Sequence, residues 1–103
     1  MIHLIYVTVQ NKEEARRMGA KLLEDRLIAC ANIIDGLESI YRWQGEVRES
    51  KEALLLAKTT EDKIPAVVDA VKAMHGYELP CIVAFPITTG LPAFLKWVAE
   101  EVE

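Results

Sequence analysis

The chain has 103 residues, 51% of them hydrophobic and 27% charged, which is the size and composition of one compact domain. Its 12 basic and 16 acidic residues leave a net charge of −4, and this balance argues against a nucleic-acid-binding domain, which needs a basic surface. The apolar opening MIHLIYVTV is far too short to span a membrane, and the 2 cysteines cannot form a disulfide framework. We therefore expect a cytoplasmic protein without a membrane segment, whose thiols are free and buried.

The first quarter of the chain predicts a strand followed by a helix. Residues 2–9, IHLIYVTV, are β-branched, aromatic and apolar, as strands are. Asn11, with Glu14 three residues later, resembles a capping box at a helix start. Apolar side chains then recur at helical spacing: Ala15, Met18, Gly19, Leu22, Leu23 and Leu27.

The rest of the chain predicts a long hairpin, a helix, a strand and a final helix. A second strand begins with IACANII at 28–34 and continues to a turn at Gly45, and a third strand returns from Glu46 to the run ALLLA at 53–57. Thr59 and Thr60 precede a helix with Pro65 in its first turn. CIVAFPI is a fourth strand, whose Pro86 favours an edge position, and a short helix follows Pro92.

This βαββαβα order predicts an α+β fold, a single ferredoxin-like sandwich over residues 1–103. The usual sheet order for that topology is 4-1-3-2, with antiparallel strands and with strands 2 and 4 at the edges. Cys30 and Cys81 would then lie three strand spacings apart, about 14 Å, which is too far for a disulfide.

The predicted sheet has more apolar surface than one chain can cover. Both crossover helices lie on one face in this topology, whereas strands 1 and 3 are apolar on both faces. Strands 2 and 3 would each run for about 14 residues, so their ribbon would extend beyond the core and expose free edges. The simplest cover for a sheet of this kind is another copy of the chain, and we expect a homo-oligomer.

The segment HGYELP, residues 75–80, combines structural and chemical signals. His75 is expected in the last turn of the second helix, Gly76 as a left-handed residue after it, and Pro80 as the break before the fourth strand. Tyr77 and Glu78 have no such structural explanation. His75 and Glu78 could converge on one metal ion, although two ligands make a weak site.

Two further features are candidates for binding. Lys58 extends an apolar strand face, where it either reaches the rim or holds an anion or a carboxylate such as Glu78. Trp43, at the hairpin end, and Trp97, off the apolar stripe of the last helix, are candidate interface anchors. Catalytic motifs are missing: there is no GxSxG elbow and no glycine-rich phosphate loop, so we do not expect an enzyme.

Five segments in order resemble the CutA family of divalent-cation tolerance proteins. They are LLEDRLIACANII, SIYRWQGEV, LLLAKTTED, HGYELP and LKWVAEEV, and the resemblance extends over essentially the whole chain. The resemblance implies a ferredoxin-like protomer in a homotrimer similar to the PII signalling proteins, and a cytoplasmic role in tolerance of divalent metals such as copper, without established catalysis.

The resemblance also carries polar positions that would gather in a cleft between protomers. Two departures stand out: the family's typical His-Pro-Tyr is His75-Gly76-Tyr77 here, and the first-strand cysteine and second histidine of some members are missing. The matching positions are Cys30, Asn32, Tyr41, Trp43, Lys58, Thr59, Thr60, His75, Tyr77, Glu78 and Pro80.

Three functions remain open on the sequence. The first is a metal-binding trimer that uses His75 and Glu78 as ligands for copper or another divalent ion. The second is a PII-like module that binds a small anionic or zwitterionic effector through Lys58, Tyr77 and Glu78. The third is a trimeric scaffold that meets another protein through Trp43 or the hairpin.

Overall fold

The computed structural model describes residues 1–103 and contains one four-stranded antiparallel sheet and three α-helices. The strands are β1 (Ile2–Val9), β2 (Cys30–Trp43), β3 (Glu46–Thr60) and β4 (Ile82–Pro86). The helices are α1 (Lys12–Glu24), α2 (Ile64–Met74) and α3 (Pro92–Glu101), with a short 3-10 turn at Glu61–Lys63 before α2. No helix combines the length and the apolar character that a membrane crossing needs.

The predicted α+β ferredoxin-like architecture and its sheet order are confirmed. The strands run β2-β3-β1-β4, which places β1 and β3 in the centre and leaves β4, with its Pro86, at an edge. The predicted helix start is also confirmed, because the Asn11 side chain accepts a hydrogen bond of 2.8 Å from the Glu14 amide. Strands β2 and β3 have 14 and 15 residues, and their ribbon stretches the molecule to 44 × 26 × 23 Å.

One face of the sheet carries the main core. Alternate side chains of β1 and β3 pack there against α1 and α2, because successive strand residues point to opposite faces. The fully buried members of this core include Ile5, Val7, Leu55, Met18 and Val67.

The other face is covered only in part. The helix α3 packs Val98 and Val102 against Ile2 and Ala29 at one end of the sheet. Elsewhere, large apolar side chains stay accessible, and Val83 and Phe85 of β4 are 43% and 49% exposed. We call this side the open face; its strand residues are Asn32, Ile34, Leu4, Tyr6, Thr8, Leu54, Leu56, Lys58, Val83 and Phe85.

Three local predictions are wrong. His75 lies beyond the last turn of α2 with extended backbone angles (φ −76°, ψ 141°), since the helix ends at Met74. Gly76 does not adopt a left-handed conformation; the glycines that do are Gly36 and Gly45. Cys81 is exposed and precedes β4 instead of being buried in it, and Cys30 is only half-buried, although both cysteines are free as expected.

Candidate functional site

A cleft of about 580 Å³ opens where the hairpin, the end of β1 and the loop after α2 meet. This volume falls in the range of small-molecule sites, about 300–1,000 Å³. The hairpin, β1 and the loop each contribute polar and aromatic side chains. The lining residues are Tyr6, Thr8, Ser39, Tyr41, Trp43, Arg48, Glu52, Gly76, Tyr77, Glu78, Leu79 and Cys81.

A bulge in the hairpin determines which side chains reach this cleft. Up to Ile34, which pairs with Leu54, the even-numbered residues of β2 share the open face with the even-numbered residues of β3. Between Ile34 and Leu37 the register shifts by one residue, so that Leu37 pairs with Glu52. Beyond the shift, odd-numbered β2 residues occupy the open face, and these include the cleft residues Ser39, Tyr41 and Trp43.

Glu52 forms the floor of the cleft together with Tyr77. The Glu52 residue is only 8% exposed, and its carboxylate accepts a hydrogen bond of 2.7 Å from the Tyr77 hydroxyl. Burial raises the pKa of the Tyr77 phenol well above its usual value, and the hydrogen bond to Glu52 and the Glu52 charge raise it further. Glu52 forms no salt bridge with a basic side chain. The floor is therefore a buried acidic group whose hydrogen-bond donor is a neutral phenol.

A second buried carboxylate fixes the loop that carries Tyr77 and Glu78. Glu14, at the start of α1, accepts one hydrogen bond of 2.9 Å from the Gln10 amide and another of 3.2 Å from the Gly76 amide. Gly76 has no positive φ, and a Cβ there would lie 3.2 Å from Glu14 Oε2, a close contact that Glu14 would have to relieve by a small shift. The loop is thus held to the helix that packs beneath it.

His75, the first residue of this loop, joins the loop to β1. Its Nε2 lies 2.8 Å from the Thr8 carbonyl oxygen, and its Nδ1 accepts a hydrogen bond of 3.1 Å from the Tyr77 amide. This pattern assigns the proton to Nε2. The ring also packs against the Tyr77 ring in a tilted arrangement, with centroids 4.7 Å apart and planes inclined by 47°. Both ring nitrogens therefore have backbone partners, and a metal ion bound by His75 would have to displace one of them.

The structure brings together some of the predicted site residues and separates others. Tyr41, Trp43, Tyr77 and Glu78 line the cleft, whereas His75 lies behind it. Cys30, Asn32, Lys58 and Trp97 lie outside it. No three His, Cys, Asp or Glu side chains of the chain lie close enough together to hold a metal ion.

Lys58 lies far from the cleft, near the opposite end of β3. Its ammonium group donates a hydrogen bond of 2.6 Å to the Asn32 side chain. Lys58 lies six positions after Glu52 in β3, which corresponds to about 20 Å along the strand. Within one chain, Lys58 therefore does not pair with Glu78 or face a ligand in the cleft.

Sequence reasoning missed the cleft residues Tyr6, Arg48 and Glu52. A signal for Glu52 was present: an acidic residue precedes the apolar run ALLLA in a strand predicted to be central. Trp97 is 40% exposed and stacks on Phe94 with centroids 5.7 Å apart. That stack leaves an aromatic pair on the surface of α3, away from the cleft.

Comparisons with known proteins point to one family. The sequence model of the CutA1 divalent ion tolerance protein family matches residues 3–101. A divalent-cation tolerance protein CutA from Thermus thermophilus is 49% identical over 97% of this chain and 97% of that protein. One from Archaeoglobus fulgidus is 44% identical over the full length of both. The chain spans about half of the chloroplastic CutA 1 of Oryza sativa, which is 41% identical over 92% of this chain and 54% of the rice protein.

Solved structures agree with the sequence relatives. The divalent cation tolerance protein from Thermus thermophilus superposes with a TM-score of 0.95 at 48% identity, covering 98% of each chain. The CutA structure from Archaeoglobus fulgidus, described as a periplasmic divalent cation tolerance protein, superposes with a TM-score of 0.96 at 44% identity over 100% of both chains.

Proposed function

Because the chain belongs to the CutA1 divalent ion tolerance family, we propose that it is a cytoplasmic, non-catalytic homotrimer that binds a divalent cation, copper being the ion to test first. The observation that carries this proposal is the family match over residues 3–101. The ligands we propose are His75 and Glu78, which lie on the loop between α2 and β4.

His75 and Glu78 carry groups that bind copper, but two ligands are few for a metal site. Imidazole nitrogen and carboxylate oxygen are both ligands that divalent copper accepts. A tight site needs more than two ligands, and the Nδ1 and Nε2 atoms of His75 already have backbone partners. We therefore propose weak binding in one chain, completed by ligands from a neighbouring copy.

The trimer is supported by the open face. Val83 and Phe85 expose apolar surface on the edge strand β4, and Ile34 is 50% exposed on the opposite edge strand β2. Exposed edges of this kind favour pairing with another chain. Sedimentation equilibrium tests this state directly: we expect three times the 11.6 kDa mass of one chain. A mass of one chain at micromolar concentration would contradict the trimer.

A copper titration tests the metal site. We expect calorimetry at neutral pH to show binding that weakens in His75→Ala and in Glu78→Gln. Glu78→Gln is the more informative variant, because Glu78 is exposed and its loss leaves the loop hydrogen bonds intact. His3→Ala serves as control, since it removes the only other histidine, whose Nδ1 lies 3.2 Å from the Met1 carbonyl oxygen. Equal affinity in all four proteins would contradict the assignment of His75 and Glu78.

A second candidate function is the binding of a small effector, and the cleft favours it. Its volume and its mixed aromatic and polar lining are typical of small-molecule sites. Within one chain, Lys58 bonds to Asn32 away from the cleft and does not reach an effector there. A thermal-shift comparison of Lys58→Ala with the natural sequence tests the assembly: unchanged effector binding means that the cleft of one chain suffices, and weakened binding means that Lys58 of a neighbouring copy reaches the cleft.

A further inference from the structure

Only one strand places charged side chains on the open face. They are the even-numbered β3 residues Glu46, Arg48, Glu52 and Lys58, whereas the residues that β1, β2 and β4 place on this face are uncharged. Glu46 and Arg48 are exposed near the hairpin turn and pair with each other at 3.5 Å. One acidic and one basic side chain, Glu52 and Lys58, therefore remain on this face without an oppositely charged partner.

Burial makes the lack of a charged partner costly for Glu52. The residue is 8% exposed in a single chain, and the side-chain hydrogen bond that its carboxylate accepts comes from the neutral Tyr77 hydroxyl. Removing a carboxylate from water is unfavourable unless an opposite charge lies close to it. A neighbouring copy packed on the open face would remove the remaining water around Glu52, and that copy would then have to supply a cation.

Lys58 has the complementary need for an anion. The residue is half-buried, and its ammonium group donates a hydrogen bond of 2.6 Å to the side-chain oxygen of Asn32, which is a neutral acceptor. This hydrogen bond ties the ammonium group to a β2 residue on the same face. A copy that covers the face would therefore remove water from this cation as well, and the cation would need a carboxylate from that copy.

Glu52 and Lys58 cannot meet within one chain. They lie six positions apart in β3, about 20 Å along the strand. In a closed ring of three copies, however, each interface joins two different patches of the chain, so groups that are far apart in one chain can meet across it. Contact between Lys58 of one copy and Glu52 of the next, repeated at all three interfaces, would leave neither charge unpaired.

We infer that Lys58 of a neighbouring copy pairs with Glu52, so that two chains together complete the cleft. This inference rests on the proposed trimer and names the charged residues that join its copies. Complementary charges across an interface fix its register and exclude other arrangements. The Glu52 and Lys58 pair would thus select one way of closing a face that is otherwise mostly apolar and uncharged. The inference is independent of the proposed copper site, because neither residue is one of its ligands.

A double-mutant cycle tests the pairing, because substitutions this far apart in one chain have additive effects unless the residues meet across copies. The variants are Glu52→Gln, which still accepts the Tyr77 hydrogen bond, Lys58→Met, which keeps the length of the side chain, and the two combined. Sedimentation equilibrium measures the dissociation constant of the trimer, at a urea concentration where the trimer of the natural sequence partly dissociates.

Removal of one charge should weaken the trimer more than removal of both. We expect Glu52→Gln and Lys58→Met each to raise the dissociation constant at least about tenfold, since each leaves the other charge buried and unpaired. The double variant should assemble at least about tenfold more tightly than the weaker of the two single variants.

Glu49→Gln is the matched control. It removes the same charge from the same strand, but Glu49 is odd-numbered in β3 and lies on the opposite face, so its effect should be additive with that of Lys58→Met. A charge exchange, Glu52→Lys with Lys58→Glu in one chain, keeps the test valid if a neutral variant fails to fold. The exchanged protein should assemble at least about tenfold more tightly than either single reversal.

The other outcomes separate failure of the pair from failure of the trimer. Additive effects of Glu52→Gln and Lys58→Met in a protein that sediments as three chains would overturn the pairing and leave the trimer standing. Coupling of Lys58→Met to Glu49→Gln of the same size would assign the effect to net charge and would also overturn it. If the natural sequence sediments as one chain, the pairing and the trimer both fail, while the copper titration still reports on the metal function separately.

Discussion

The Tyr77 hydroxyl donates a hydrogen bond of 2.7 Å to the Glu52 carboxylate, joining the loop after α2 to the central strand β3. This contact crosses from one structural layer to another, since β3 lies in the sheet and Tyr77 follows a helix that packs on the sheet's other face. It fixes the position of the Tyr77 ring, which lines the cleft. The stability of the protein and the shape of its cleft therefore depend on the same hydrogen bond.

Loss of this hydroxyl should destabilise the protein measurably. Tyr77→Phe leaves the buried Glu52 carboxylate without its side-chain donor, and hydrogen bonds to charged groups contribute about 1.5–3 kcal/mol. We expect the free energy of unfolding in urea to fall by about 1–3 kcal/mol. The control is Tyr6→Phe, which removes a hydroxyl in the same cleft that has no protein hydrogen-bond partner. An equal decrease in the free energy of unfolding in Tyr77→Phe and Tyr6→Phe would show that the hydrogen bond from Tyr77 to Glu52 does not stabilise the protein.

The same contact predicts a pH dependence on the alkaline side. The folded structure raises the pKa of Tyr77, through burial and through Glu52, above the unfolded value of about 10. The unfolded chain then releases the Tyr77 proton at a lower pH than the folded protein. The contribution of Tyr77 to stability is complete below about pH 10 and declines as the pH rises toward the folded pKa.

Urea titrations between neutral and alkaline pH measure this effect. The free energy of unfolding of the natural sequence should fall more steeply above about pH 10 than that of Tyr77→Phe. If the free energies of unfolding of the two proteins differ by a constant amount from neutral to alkaline pH, Tyr77 does not cause the alkaline loss of stability.

We expect a charged substitution on the open face to dissociate the proposed trimer. Phe85→Glu introduces a charge on this face, in the edge strand β4. We expect sedimentation equilibrium to show a shift from three chains to one. Leu23→Glu is the control, because Leu23 is 44% exposed on α1, away from the open face. A shift in both variants, or in neither, would place the interface elsewhere.

Gly76 and Gly45 should respond to alanine for different reasons. Gly45 has a φ of +82° and open space around it, so Gly45→Ala costs about 1–2 kcal/mol in backbone strain alone. Gly76→Ala instead brings a methyl group to 3.2 Å from Glu14 Oε2. A double-mutant cycle with Glu14→Ala should show coupling to Gly76→Ala and additivity with Gly45→Ala. Absence of coupling at Gly76 would mean that the Glu14 side chain moves away from the added methyl group without a loss of stability.

Most of the fold could be predicted from periodicity, because long elements with strong patterns leave few alternatives. The apolar run of β1, the Asn11 cap and the position of Pro86 all predict local structure that tertiary contacts preserve. Gly76 could not be assigned correctly from its place after a helix. Its small size serves a contact with Glu14, which is 62 residues away in the sequence.

The candidate site was less predictable, because a cleft depends on which face each strand residue occupies. Trp43 stands out in the sequence as a candidate interface anchor and Tyr41 enters through the family resemblance, whereas Tyr6 belongs to an apolar strand and Glu52 is marked only by its acidic side chain before ALLLA. What brings them together is the register shift between Ile34 and Leu37, which has no clear sequence signal apart from Gly36, whose φ is +78°. The imidazole chemistry of His75 predicts a metal ligand, whereas the structure gives both of its nitrogens backbone partners.

The register shift places one extra residue in the hairpin. Asp35 and Gly36 of β2 together lie opposite Ala53 of β3, because Ile34 pairs with Leu54 and Leu37 with Glu52. Deleting either Asp35 or Gly36 would therefore remove the bulge and restore regular pairing, while Tyr41 and Trp43 would keep their partners on β3 and their place in the cleft. Among descendants of this sequence, the stretch between Ile34 and Leu37 could thus shorten by one residue without exchanging the side chains that line the cleft.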